Sequence, residues 1–310
     1  MSLSYILSRL ITAVFVIVGV VTLVFFFLHL IPGDPVDVMI GETARPADKE
    51  ALRHALGLDL PIHQQFVRYG HGLLNLDFGA SIHSGRAISD LLVERLPATV
   101  ELGIAAVFIA LMIALPLGLL SALRPKSLLD FGAMGFALIG VSVPNFWLGP
   151  LLILIGALWL GWFPVSGREG LVSLVLPALT LGTSLAAILS RMTRSALLEV
   201  IGEEYIRTAR AKGLGEWRVI IFHGLGNAIL PIITVLGLQL GAVLGGAVIT
   251  ETVFAWPGIG WLTVEAIQQR DYPVVQATVL CISLSYVLVN LVTDLLYAWI
   301  DPRIRLQGDQ

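Results

Sequence analysis

Six stretches of the chain are nearly free of charged side chains and long enough to cross a bilayer, which takes about 20 apolar residues for about 30 Å of hydrocarbon. They cover residues 10–31, 102–123, 131–160, 171–190, 228–250 and 273–300. The pattern predicts an all-α integral membrane protein with six transmembrane helices. The third stretch is long enough to tilt, or to include an interfacial segment around Trp159, Trp162 and Phe163. The fourth is short and carries Pro177. The first exceeds the apolar core of a secretion signal, and the "LIPGDPV" that follows offers no small-x-small cleavage site, so it reads as a retained span.

Between the spans, Lys and Arg are distributed unevenly. With the N-terminus inside, the cytoplasmic side holds Arg9, Arg124, Lys126, Arg191, Arg194, Arg207, Arg210, Lys212, Arg218, Arg303 and Arg305, while the short outer loops hold Arg168 and Arg270. The positive-inside rule then places both termini in the cytoplasm. The long segment 32–97 falls outside, since long loops translocate largely regardless of charge. Three parts follow: the N-terminus with the first span (1–31), an outer helical loop (32–97), and a five-helix core (98–310) with a cytoplasmic loop at about 195–227. In the outer loop, Pro46 suits a helix start, Ala51, Leu52, Ala55 and Leu56 share a face, and Gly57 suits a C-cap. A second helical pattern runs over 61–74. His54, His63, His71 and His83 also lie here, but no pair has the i, i+4 spacing of a preformed metal site, so no metal site is expected.

The strip "EEYIRTARAKGLGEW", residues 203–217, is highly charged for so apolar a chain and lies in the longest cytoplasmic connection. From 203 to 212 it is helical, with Tyr205, Ile206 and Ala209 on one face and Glu203, Arg207 and Arg210 on another. Gly213 and Gly215 break that helix, and Trp217, Ile220 and Ile221 lead back to the membrane. The expectation is a helix, a glycine turn and a second helix, projecting from the bilayer with an apolar stripe exposed. Such a segment either lies on lipid headgroups or docks into a groove on a cytoplasmic partner. The sharp turn favours docking.

Composition adds exclusions. Hydrophobic residues make up 56% of the 310 and charged residues 13%, far from soluble-domain usage. A net charge of −3 without a basic block gives no reason to expect nucleic acid. Cys281, the single cysteine, falls inside the sixth span. No G-x-x-x-x-G-K-[ST] occurs, so the chain has no P-loop for nucleotide. Polar residues within spans are candidates for a translocation path, since each is costly in lipid: Ser142 and Asn145 beside Pro144, Gln239, and Asn290. Interhelical hydrogen bonds are the competing role for each. Asp294, near the inner end of the sixth span, is expected to pair with an inner arginine. A proton-coupled transporter would need buried carboxylates along its path, and Asp294 is nearly the only one well within a span. An intramembrane serine protease would need Ser184 to meet a base, but His223 and His29 lie elsewhere.

Five separated motifs carry a resemblance that extends over almost the whole chain. They are "LIPGDP", "LGLDLPIHQQF", "EEYIRTARAKGLGEWRVIIFHGLGNAILP", "WPGIG" and "DPRIR". Together they resemble the dipeptide/oligopeptide/nickel family of bacterial ABC importer permease subunits, nearest its dipeptide branch with a long first periplasmic loop. The resemblance implies the type I importer permease fold in the bacterial inner membrane, without catalysis or cofactor in this chain. ATP and Mg would be bound by two partner ATPase subunits, a second homologous permease subunit would complete the path, and a periplasmic binding protein would deliver cargo. It implies ATPase coupling through Glu204, Tyr205, Ile206, Arg207, Ala209, Gly213 and Leu214. In the general "EAA…G" coupling pattern, Gly213 and Ala209 match, whereas Arg207 and Thr208 replace the first Glu and Ala, and Leu230-Pro231 arrives late. Glu204 is therefore not equated with that Glu. The implied cargo is a short peptide, with a glutathione-like solute or nickel as alternatives.

Overall fold

Uncharged segments in hydrocarbon must satisfy their backbone groups internally, and helices do so. The computed structural model of the protein describes residues 3–30, 35–41 and 44–300, with the side chains of 3–6, 27–30, 35, 38–39, 55–56 and 294–300 outside the description. Its helices are α1 (Leu3–Leu30), α2 (Pro35–Ile40), α3 (Pro46–Leu56), α4 (Ile62–Leu74), α5 (Ile88–Leu123), α6 (Leu128–Ser142), α7 (Asn145–Leu152), α8 (Leu171–Ile201), α9 (Glu204–Ala211), α10 (Glu216–Arg218), α11 (Gly226–Val253), α12 (Ile259–Gln268) and α13 (Tyr272–Ile300). π-helical stretches follow α7 (Ile153–Trp159) and precede α11 (Val219–Leu225). The "DPRIR" motif and the expected pairing of Asp294 lie outside the described residues.

Among the described residues, five stretches are long and apolar enough to cross a membrane: Leu7–Phe26, Ile88–Leu123, Leu171–Ile201, Glu216–Val253 and Tyr272–Thr293. The stretch expected as one span over 131–160 is instead a pair, Leu128–Ser142 and Asn145–Trp159, bent by 107°. Pro144 is the cause: it disfavours the helical region for Val143, which stands at φ −86°, ψ 116°. Counted as one broken span, the pair brings the total to six. Pro177, by contrast, does not interrupt its helix, and α8 runs unbroken for 31 residues. A proline frees one carbonyl, and within a bundle neighbouring groups and local adjustment accommodate it. Helix α5 starts at Ile88 and passes through Pro97, so its first turns belong to the segment expected as the long loop 32–97. Ile88, Leu91 and Leu92 are buried in an apolar cluster there, and packing overrides the local cost of proline.

The chain divides into two compact units. The first comprises Met1–Arg9, Val100–Trp256 and Leu288–Gln310; the second comprises Leu10–Thr99 and Pro257–Val287.

In the first unit, α5 presents a buried seam at every fourth position: Leu102, Ala106, Ala110, Ala114, Gly118 and Ala122. Small residues at this spacing let helix backbones approach closely when lipid offers no hydrophobic drive. A Cβ on Gly182 of α8 would stand 2.6 Å from the Ala106 carbonyl oxygen, and one on Gly118 would stand 2.5 Å from Thr193 Cβ. Beyond this contact, α8 packs on α6 and α11 and forms the centre of the unit.

In the second unit, α4 lies on α1 through Phe66 and Tyr69, whose rings are 5.2 and 5.7 Å from that of Phe25. Gly57 closes α3 at φ 69°, the left-handed C-cap the sequence suggests. Ile88, Leu91 and Leu92 share a cluster with Ile259, Leu262, Ala266, Val274 and Ala277, joining α5, α12 and α13. The buried Asp271 carboxylate accepts from Ser81 Oγ at 2.5 Å and from the backbone N–H groups of Ile82 and His83, which holds the 80–87 hairpin at the start of α13.

Candidate functional site

The charged strip folds as its glycines direct. Helix α9 ends in a left-handed turn at Gly213, φ 78°. Gly213 N donates to Arg210 O at 2.9 Å and Leu214 N to Ala209 O at 3.4 Å. These are the paired bonds of a Schellman C-cap, and Leu214 packs back on the Ala209 side as that motif requires. Arg210 forks onto Glu216, Nε to Oε2 at 3.1 Å and Nη2 to Oε1 at 2.7 Å, so the charged pair spans the turn. Helix α10 follows, and the π-helical stretch at 219–225 carries the chain into α11 ahead of Pro231.

One expectation needs correction. The apolar stripe is not exposed, because Ile206 is fully buried and Ala209 nearly so, both against Val219 with Val200 and Leu214 at their edge. The chain covers its own stripe once the turn at Gly213 brings Val219 across it. Exposed on the segment are Glu203, Glu204, Tyr205, Arg207, Thr208, Arg210, Lys212, Gly213, Glu216, Trp217 and Arg218, with Leu214 half-buried. The surface available to a partner is therefore charged and carries two aromatic side chains, Tyr205 and Trp217. Val200 belongs also to a second cluster, with Leu197, Ala196, Ala122 and Ala228, at the ends of α5, α8 and α11. Helix α9 is thus seated on the core through apolar packing.

The candidate path residues are not gathered equally. Ser142 and Asn145 flank the break between α6 and α7. The Ser142 hydroxyl donates to Leu138 O at 2.8 Å within its own helix. Asn145 approaches α11, its Nδ2 lying 3.2 Å from where a Cβ on Gly246 would be. Gln239, seven residues earlier on α11 and half-buried, falls on the same helical face as Gly246. Asn290 is half-buried on α13. Ser184 donates within α8 to Leu181 O at 3.3 Å. Of the loop histidines, His54 meets Asp59 at 2.7 Å and His71 meets Asn75 at 3.1 Å.

Among the described residues, three acids are buried that no motif or span pattern marks in the sequence. Glu251, just beyond the expected fifth span, is fully buried in α11. Asp271 fixes the hairpin described above. Asp130, at the start of α6, accepts from Arg194 of α8, Nε to Oδ1 at 2.7 Å and Nη2 to Oδ2 at 2.8 Å, from Lys126 N at 2.8 Å and from Ser121 Oγ. Arg194 had a sufficient explanation in membrane topology, and that concealed its partner. The scarcity of buried carboxylates is accordingly no argument against proton coupling. Other observations settle the class.

Two family models match the chain: a binding-protein-dependent transport system inner membrane component over residues 114–306, and the N-terminal part of such a membrane component over residues 2–103. The dipeptide transport system permease protein of Escherichia coli (strain K12) is 43% identical, the match covering 98% of this chain and 99% of that one. The glutathione transport system permease protein of Salmonella typhimurium (strain LT2) and the di/tripeptide transport system permease protein of Pseudomonas aeruginosa (strain UCBPP-PA14) match at the same identity and coverage. Among solved structures, the inward-facing methionine ABC transporter MetNI aligns with TM-score 0.58 at 20% identity, over 68% of this chain and 96% of that one. An amino acid ABC transporter with histidines aligns at 0.51 and 16% identity, over 69% and 94%. These two likenesses concern the fold.

Proposed function

The chain belongs to the inner membrane components of binding-protein-dependent transport systems, and on that premise we propose that it forms half of an ATP-driven path importing short peptides. It is a multi-pass permease subunit of the ABC importer class and not itself a catalyst. A second homologous permease completes the path, two ATPase subunits bind ATP and Mg, and a periplasmic binding protein delivers the peptide.

The observation that carries this reading is the seating of α9. It presents a charged outer face and is keyed by Ile206 and Ala209 to Val200 and Val219, the ends of α8 and of the π-helical entry to α11. A force applied to Arg207, Tyr205 or Glu204 would reach two spans through packed side chains rather than through a slack loop. Closure of the ATPase pair on ATP would displace α9, and α8 and α11 would follow, exposing the path alternately to the two sides. Asn145 and Gln239, which share the α11 face around Gly246, are the path residues we favour; Ser142 and Asn290 remain candidates. Peptide cargo is supported by the dipeptide and di/tripeptide permeases among the relatives.

In cells lacking this chain, uptake of a radiolabelled dipeptide is expected to fall to background, with glutathione and nickel uptake measured in parallel. Loss of nickel uptake alone, with dipeptide uptake intact, would reject the peptide assignment.

Topology gives a second expected result. The reading places Ser84 outside and Ser195 inside, with both termini in the cytoplasm of a bacterial inner-membrane protein; both serines are exposed. Single cysteines at these positions, with Cys281 replaced by serine, are probed by an impermeant thiol reagent in intact spheroplasts. Ser84→Cys should label and Ser195→Cys should not; the reverse pattern inverts the orientation.

A further inference from the structure

We propose that Asp130 and Arg194 are positioning residues for coupling: their ion pair makes α6 move with α8, so that displacement of α9 is delivered to the break in the membrane at Val143–Pro144. The proposal rests on the reading of α9 as the coupling segment.

The pair differs in kind from the exposed charges around it. Asp130 is 6% exposed and Arg194 25%, and the carboxylate takes both prongs of the guanidinium fork. A fork fixes the relative orientation of two helices, whereas a point charge fixes only a distance. The remaining acceptor sites are filled by Lys126 N, in the turn between α5 and α6, and by Ser121 Oγ near the end of α5. Ser127 caps α6, accepting from Asp130 N at 3.2 Å, so the carboxylate stands on an ordered first turn. The ends of α5, α6 and α8 are thereby joined at one buried carboxylate.

From Arg194 the connection runs both ways. Toward the charged segment, Leu197 and Val200 follow on α8 at intervals of three residues, and Val200 packs in the cluster that seats Ile206 of α9. Away from it, α6 lies along α8 with Ala133, Ala137 and Gly140 buried, and a Cβ on Gly140 would stand 2.8 Å from Ala187 Cβ. Helix α6 is therefore fastened to α8 near both ends. The first place where its backbone can yield is Val143, which has left the helical region ahead of the 107° bend. Beyond it, α7 rests on both α8 and α11: Asn145 faces α11 at Gly246, and Gly149 packs on Thr180 of α8 as well as on Val253 and Phe254. Because α6 is fastened to α8 while α7 is shared between α8 and α11, a displacement of α8 relative to α11 loads the two arms unequally and changes the angle at the hinge between them, where Ser142 and Asn145 lie.

A merely structural anchor and a positioning pair predict different losses. An anchor lowers assembly, hydrolysis and transport together; a positioning pair lowers transport per ATP while assembly and hydrolysis persist. The test reconstitutes the full importer with its partner permease, ATPase subunits and binding protein in proteoliposomes, and measures ATP hydrolysis and radiolabelled dialanine uptake for Arg194→Lys and Asp130→Asn. Arg194→Lys, which keeps the charge and loses the fork, is expected to transport at least about tenfold fewer peptides per ATP, with ATPase subunits co-purifying normally; Asp130→Asn, which keeps one acceptor oxygen and loses the charge, should lower the same ratio. If these variants do not accumulate, Ser121→Ala leaves both charges in place and should show a smaller fall in the same ratio. An unchanged ratio in Arg194→Lys, or in Ser121→Ala where that variant stands in, overturns the proposal. Ala209→Glu is assayed beside them. If it keeps its ATPase subunits, the coupling reading itself fails; if it loses them while the Arg194→Lys ratio stays at the wild-type value, only the present proposal fails.

Discussion

Replacing Ala209 by glutamate is expected to abolish co-purification of the ATPase subunits and to reduce ATP-dependent uptake to background, while the protein still inserts in the membrane. Ala209 lies against Val219, Val200 and Leu214, with Ile206 one turn earlier. A carboxylate placed there has no cationic partner in the cluster and carries a desolvation penalty of several kcal/mol. Opposing it is mainly the burial of Ile206, about 1.5–3 kcal/mol for a complete side chain, with a smaller part from Leu214. The penalty wins, and α9 leaves its seat. The effect is indirect, because the substitution displaces the face proposed to meet the ATPase instead of altering it. Arg207→Ala provides the comparison: Arg207 is exposed and outside the cluster, so any loss there reports a contact with the partner itself. Wild-type co-purification and hydrolysis in Ala209→Glu would move the proposed coupling role to another segment outside the spans.

Gly213 should show a graded response that sterics alone would not produce. A Cβ at this position meets nothing within 4 Å, so crowding cannot be the cause of any loss. Its φ of 78° can be, since side chains of L residues adopt that region at a cost. Asparagine tolerates it best, alanine less well, and β-branched valine worst, within a range of about 1–3 kcal/mol. At about 1.4 kcal/mol per factor of ten, valine can shift the population of correctly turned α9 by roughly tenfold or more. Peptide uptake in reconstituted vesicles is expected to fall in the order Gly, Asn, Ala, Val, with membrane levels unchanged. Equal activity across the series would show that the turn carries no coupling geometry.

Much of the architecture was legible because the solvent dictates it. A run of about 20 uncharged apolar residues has few alternatives to a helix in hydrocarbon. The turn at Gly213 was equally legible, since "AKGLG" places glycine where a left-handed residue ends a helix and leucine where the cap needs an apolar contact. The bend is not legible in the apolar pattern, which continues through Pro144 as a single run; the 107° between the two arms emerges where α6 packs on α8 and α7 on α8 and α11.

What the sequence by itself determined is therefore what depends on near neighbours in the chain: the long apolar runs, the glycine turn of the charged segment, and the existence of an apolar stripe on α9. The tertiary structure decided what covers that stripe and which charges meet. By periodicity Tyr205, Ile206 and Ala209 form one exposed face; in the fold Val219, beyond the turn, and Val200, before it, close over Ile206 and Ala209 and leave Tyr205 exposed. Asp130 and Arg194 are 64 residues apart, and each taken alone is explained by its position at a membrane edge. Periodicity reports that a face is apolar or that a residue is charged; only the packing of distant segments supplies its partner, because burial and pairing belong to two surfaces while the pattern along the chain describes one.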